Sequence, residues 1–292
     1  MGDANARQVL IHLRLPFSVF LLPVFVFAWA HSTPAEGLVA PLFLILHLLV
    51  YPSSNGFNSF MDRDTGSIGG IEHPKPVPPV MRPLTIVMDA LATALTWAFY
   101  GPQVAACLVA YIVASRAYSA RAIRLKRFPV IGYLLVVVFQ GAWVFGMTSL
   151  ALSSSFQLDA STVWGLAASL AMIGASYPLT QVYQHDQDLR DGVRTLSYAL
   201  GIRGTFAFAA AMFSVFLACM IAYLAEAAQG WMAWGALVAI PSPAAWVLGR
   251  WAAKAWFDPT EANFRNTMRM SAVGSACMNL LFGTLLAINL LA

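Results

Sequence analysis

Charge is what this chain lacks most. Only 10% of its 292 residues are Asp, Glu, Lys or Arg, and 59% are apolar. With a mean hydropathy of +0.69, that excludes an ordinary water-soluble globule. Cysteine is scarce as well. Cys107, Cys219 and Cys277 all fall inside apolar runs, at spacings that suit neither a disulfide framework nor a zinc site, and they read as core residues. No nucleic-acid-binding module is recognisable, so no nucleic-acid partner is expected. The apolar run that follows Arg7 and Arg14 has full spanning length, which favours a retained first helix over a cleaved signal peptide.

What is present is apolar sequence in long stretches. Runs that approach the roughly 20 residues a membrane helix needs lie near 15–31, 39–52, 84–100, 102–118, 130–151, 163–182, 204–225, 231–249 and 271–291. The expected fold is therefore all-α, a polytopic membrane helical bundle of about nine transmembrane helices, forming one domain over 1–292. The second run is short and must borrow residues beyond Pro52. The third and fourth meet in a tight Gly101-Pro102 turn.

Charge provides an independent test of this layout. All 17 Lys and Arg residues fall on one side of it: near the N-terminus and in the second, fourth, sixth and eighth connections. By the positive-inside rule that side is cytoplasmic, and the C-terminus lies outside. A basic face of this kind favours anionic ligands and lipid headgroups.

Two stretches on that side break the apolar pattern. They are Tyr51 to Gly66 (YPSSNGFNSFMDRDTG) and Tyr177 to Gly192 (YPLTQVYQHDQDLRDG). Aligned, Tyr51 meets Tyr177, Asn55 meets Gln181, Asn58 meets Gln184, Asp62 meets Asp188 and Gly66 meets Gly192. Read as helix, Tyr51, Asn55, Asn58 and Asp62 share one face, as do Tyr177, Gln181, Gln184 and Asp188, with Asp191 and Thr195 following. Polar stripes are costly against lipid, so both should face a common cavity. Asp64 and Asp186 sit two residues from each stripe Asp, on the wrong face of a regular helix, and join only where the helix unwinds.

Other polar residues carry weaker signals. His47, one turn before Tyr51, reads as a packing histidine ahead of a substrate contact. Lys75 and Arg82 flank the end of a Gly/Pro-rich loop and suit phosphate oxygens or membrane anchoring equally. Asp89, seven residues past Arg82, is a partner for those cations or a substrate group. Arg121, Arg124, Lys126 and Arg127 form a basic segment whose simplest reading is a solvated, headgroup-facing patch. Opposite two acidic stripes, it also supplies cations for an anion. Gln140 reads as a helix-packing amide.

Carboxylates and amides with cations beside them and an apolar interior behind suit an amphiphile with a diphosphate head. Hard oxygen ligands select Mg²⁺ held by one or two carboxylates and substrate phosphates. Such an ion neutralises a departing diphosphate, and a dry aromatic pocket shelters the carbocation left behind.

These residues resemble the UbiA superfamily of intramembrane prenyltransferases, nine-helix bundles with Asp-rich motifs of the form NDxxDxxxD and DxxxDxxxGxxT on the second and sixth connections. Asn58 and Asp62 match the first; Asp188, Gly192 and Thr195 match the second. Tyr118 with Leu125-Lys126-Arg127 is similar to the family's basic segment, and Arg14 and Arg82-Pro83 match more weakly. Ser59, Gly66 and Gln184 depart from the motifs where Asp is usual, with Asp64, Asp186 and Asp191 nearby. The resemblance implies Mg²⁺-dependent transfer of a prenyl group from a prenyl diphosphate to an aromatic or other lipophilic acceptor in the membrane. Asp62 and Asp188 would be catalytic; Asn58, Asp62, Asp64, Gln184, Asp186, Asp188 and Asp191 would hold metal; Lys75, Arg82, Tyr118, Lys126, Arg127, Asn55, Gln181 and Thr195 would bind substrate. A terpene cyclase and a non-catalytic lipid-binding protein or transporter are the alternatives.

Overall fold

The computed structural model describes residues 3–32, 34, 37–153 and 156–291. Its helices are α1 (Asp3–Leu13), α2 (Leu22–His31), α3 (Val39–Asp62), α4 (Met81–Ser119), α5 (Pro129–Leu152), α6 (Ala160–Gln181), α7 (His185–Arg190), α8 (Leu196–Glu226), α9 (Trp231–Phe257) and α10 (Phe264–Leu291). The only β pairing among the described residues is an isolated bridge between Ile68 and Ile71.

Seven of these helices have the length and apolarity to cross a membrane, and the N-terminal segments form an eighth span bent by 43°. The bend falls between a short 3₁₀ segment, Leu15–Phe20, and α2. Pro16 and Pro23 account for it, because neither donates a backbone hydrogen bond. The first apolar run is thus a broken span rather than one straight helix.

The ninth span is hidden in α4. As a straight rod its 39 residues would extend about 58 Å, and residues 27 apart would sit about 40 Å from each other. Instead Arg116 Nε donates to Asp89 Oδ2 at 2.9 Å, so residues 81–100 and 102–119 fold back as a hairpin. The hinge is Gly101, at φ 80° and ψ 178°, a region that essentially only glycine occupies. Gly101→Ala should therefore cost roughly 1–3 kcal/mol, read as a lowered thermal midpoint in detergent.

Aromatic contacts bind the bundle where the spans meet. Phe27 of α2 stacks on Phe282 of α10 with centroids 4.3 Å apart and meets Phe145 of α5 and Tyr223 of α8 at 4.9 Å. Phe27, Phe145, Phe216 and Phe282 are fully buried. Between membrane spans such contacts stabilise by close packing, since lipid is as apolar as the side chains themselves. The bundle closes around this end and stays open inside at the other, where the two polar stretches lie.

Candidate active site

The first polar stretch forms the end of α3. Its residues 45–50 make a wider π-type turn before the helix resumes at Tyr51. Asn55, Asn58 and Asp62 then line an internal cavity of about 340 Å³. The helix stops at Asp62 because Arg63 adopts a left-handed conformation, φ 53°. That turn swings Asp64 off the helix and into the cavity lining, which a regular helix would have forbidden.

The second stretch is not one helix. α6 ends in a 3₁₀ turn, Pro178–Gln181, and the chain restarts as α7 at His185. Tyr177, Gln181, Gln184 and Asp188 nevertheless all face the same cavity, as does Thr195. The Thr195 hydroxyl caps α8 by accepting from Tyr198 N at 3.2 Å. Because α7 is regular, Asp186 remains on its outer face, exposed and outside the lining. The Asp191 carboxylate is taken up by Arg124, with Arg121 at 3.7 Å, and also lies outside the lining.

The basic segment splits in two. Arg121 Nε donates to Met61 O at 2.7 Å, and Arg124 donates to Asp191 O at 2.9 Å while approaching Asp62 at 3.5 Å. Lys126 is buried and ion-paired with Asp62. Three of the four cations thus close over the ends of both stretches, in place of the solvated patch expected for them. Arg121 and Arg127 remain exposed, the latter stacked on Phe128. Lys75 and Arg82 are exposed as well and do not reach the cavity.

Arg14, a weak signal in the sequence, is a buried wall of the cavity. Its guanidinium donates to Asn55 O at 3.1 Å and Gly69 O at 3.3 Å, holding the Gly-rich loop against α3. Gln187 carried no signal at all. It lines the cavity and donates to Asp64 Oδ1 at 2.5 Å, joining the two stretches. A Cβ at Gly66 would lie 2.1 Å from Gln187 Oε1, so the glycine makes room for this bridge.

Of three further polar residues, Asp89 alone finds partners other than those expected. His47 is buried between Phe43, at 4.6 Å, and Tyr51, away from the cavity, as a packing histidine would be. Asp89 partners neither Lys75 nor Arg82; it pairs with Arg116 and accepts from the Ser53 hydroxyl inside the bundle. Gln140 faces the cavity beside Tyr111.

The polar end of the cavity therefore carries three carboxylates, Asp62, Asp64 and Asp188, and two cations, Arg14 and Lys126. Burial pushes the Asp188 carboxyl up to about 7; Lys126 opposes the shift, and Asp64, Asp62 and Asp191 add to it. Burial and the neighbouring Asp62 charge also raise Asp64, against Lys126, Gln187 and Arg14. Carboxylates raised in this way favour a bound cation. Among the described residues no three His, Cys, Asp or Glu side chains form a ready-made metal cage. Much of the remaining lining is apolar, including Phe139, Phe213, Met270 and Met278, while Phe17 packs against Arg14.

A family model described as the UbiA prenyltransferase family matches residues 19–273. The chain belongs to this family. Solved UbiA structures share its fold. The UbiA homologue from Archaeoglobus fulgidus bound to GPP and Mg²⁺ superposes with a TM-score of 0.67 at 16% identity, over 95% of this chain and 99% of that one. The apo UbiA homologue from Aeropyrum pernix K1 gives 0.63 at 16%, over 94% and 98%. A digeranylgeranylglyceryl phosphate synthase gives 0.64 at 14%, over 99% and 100%. No curated protein matches the sequence. At these identities the likeness to solved structures is one of fold, so what this UbiA member does rests on its own cavity.

Proposed function

We propose that this protein is a Mg²⁺-dependent prenyltransferase, moving a prenyl group from its diphosphate to a lipophilic acceptor inside the membrane. One observation carries the reading: two amide- and carboxylate-bearing stretches, more than 110 residues apart in the chain, meet on one cavity whose remaining lining is largely aromatic and apolar. Such a cavity suits a substrate with a phosphate head and a hydrocarbon tail. The A. fulgidus homologue, bound to GPP or to DMAPP with Mg²⁺, supports the same class.

Asp62, Asp64 and Asp188 would hold the metal, with Asn58, Gln184 and Gln187 as amide neighbours. Bound Mg²⁺ supplies charge neutralisation for the leaving diphosphate. Lys126 and Arg14 bind diphosphate oxygens from the other side, and Lys126 exchanges Asp62 for phosphate as the donor enters. Tyr118 and Tyr177, hydrogen-bonded to each other, stand with Phe139 along the wall that the allylic group passes, and their ring faces favour developing positive charge. The surrounding helices keep water from that charge. The positive-inside pattern supports a mouth on the cytoplasmic side of the membrane.

The test is diphosphate release by purified protein from labelled prenyl diphosphates of graded length, with and without Mg²⁺ and a panel of aromatic acceptors. Metal- and acceptor-dependent release with transfer of label supports the reading. Release of a cyclised hydrocarbon without acceptor makes it a cyclase, and tight donor binding without release under any condition makes it a binding protein.

A further inference from the structure

Among the described residues, Gln181 and Thr267 in the cavity wall each carry a buried polar atom with no partner, as Arg14 does at Nε beside the carboxylates. Gln181 is 6% exposed; its Nε2 donates to the Tyr177 hydroxyl at 2.9 Å, leaving Oε1 buried without a hydrogen bond. Thr267 is fully buried and its Oγ1 is also unpartnered. The two residues belong to elements that pack together, the 3₁₀ turn at the end of α6 and the start of α10. Both line the cavity. Buried groups left unsatisfied cost about 1–3 kcal/mol each, and two on adjoining walls mark a place where something else completes the bonds.

The donor substrate does not complete both: Thr267 Oγ1 can donate to a phosphate oxygen, but Gln181 Oε1 cannot. A carboxamide oxygen needs a hydrogen-bond donor, and neither an ionised diphosphate nor a hydrocarbon chain has one. A hydroxyl group does, because it gives one bond and accepts another. One hydroxyl can serve both, donating to Gln181 Oε1 and accepting from Thr267 Oγ1. Tyr177 holds the carboxamide from behind, so its free end is fixed in direction before any ligand arrives.

We propose that Gln181 and Thr267 form a subsite for the hydroxyl group of the prenyl acceptor, making the acceptor class a lipophilic alcohol or phenol. This rests on reading the cavity as the transfer site. Gln181 orients the hydroxyl by accepting its proton bond, and Thr267 donates to the hydroxyl oxygen from α10. A ligand with the same skeleton and an ether in place of the hydroxyl leaves Gln181 unpaired, and loses affinity for that reason.

The experiment compares para-heptylphenol with its methyl ether, titrated into detergent-purified protein without any donor. Wild-type protein should prefer the phenol at least about tenfold, as expected for one or two buried hydrogen bonds. Gln181→Leu and Thr267→Val should each abolish most of that preference by weakening phenol binding alone. Thr267→Val, which removes an orphaned hydroxyl at nearly constant shape, should melt at the same temperature as wild type or higher. Equal binding of phenol and ether to wild type would overturn the proposal. So would a retained preference in both variants, and a lowered melting point of Thr267→Val with the preference intact would assign the two atoms to structural water. The proposed transfer activity is tested separately by diphosphate release. A preference without release leaves the subsite standing and the transferase reading fallen; release without preference does the reverse.

Discussion

Replacing Asp188 by Asn is expected to cut turnover by about a thousandfold, the scale of losing a principal electrostatic contact to the reacting centre, while the metal-free protein stays as stable as before or becomes more so. The two halves of this result have one cause. Burial holds the Asp188 carboxyl at about 7 against an ordinary 3.8, so in the absence of a cation the folded chain disfavours its charge. Between about pH 4 and pH 7 the folded protein then binds more protons at this site than the unfolded chain. Its stability falls as pH rises through that interval. The Asp188→Asn variant lacks this component, and its melting temperature should vary less with pH over the same range. Divalent ions should stabilise wild type above pH 7 and have little effect on the variant. Thermal melts in detergent across pH, with and without Mg²⁺, check stability; single-turnover diphosphate release checks chemistry.

Lys126→Met is the second large effect, and its pattern is the opposite one. Lys126 and Asp62 are ion-paired, with side chains only 10% and 4% exposed. Removing one member of a buried pair costs up to about 3–5 kcal/mol, because the other charge is left uncompensated. Arg124, at 3.5 Å from Asp62, limits the loss. The metal-free variant should melt lower than wild type, and its apparent affinity for prenyl diphosphate should fall roughly a hundredfold with the loss of a charge-assisted contact. Adding Asp62→Leu should recover much of the stability and none of the activity. A double-mutant cycle on melting and on donor binding separates the two contributions. Equal additivity in both would remove the pair from the site.

How much of this was legible in the sequence depends on what each residue's position rests on. The two stripes came through because their spacing places Asn55, Asn58 and Asp62, and Gln181, Gln184 and Asp188, on common faces, and those faces survive even where α6 gives way to a 3₁₀ turn. The Gly101-Pro102 turn was equally readable, since only a glycine there lets α4 fold back. Asp64 and Asp186 looked alike in sequence and diverge in space. The difference is one backbone angle: Arg63 turns left-handed and carries Asp64 inward, while α7 stays regular and keeps Asp186 out. Charge by itself misplaced the basic segment, because spacing cannot show that Arg124, in a left-handed turn of its own, brings Lys126 back onto Asp62. The Gln187–Asp64 bridge and the Asp89–Arg116 pair depend on contacts across helices, which no periodicity reports. Thr267, one of several threonines in apolar helices, becomes distinctive only when its lack of a partner is seen.

The central claim is that this cavity holds the prenyl chain with its diphosphate at the Asp62, Asp64 and Asp188 end. Photocrosslinking tests it most directly, using a prenyl diphosphate with a diazirine at the tail, Mg²⁺ present, and adducts mapped by mass spectrometry. Adducts are expected on the apolar lining, among Phe139, Phe213, Met270 and Met278, and lost when unlabelled donor competes. Competed adducts confined to the lipid-facing surface, with none on these residues, would contradict it.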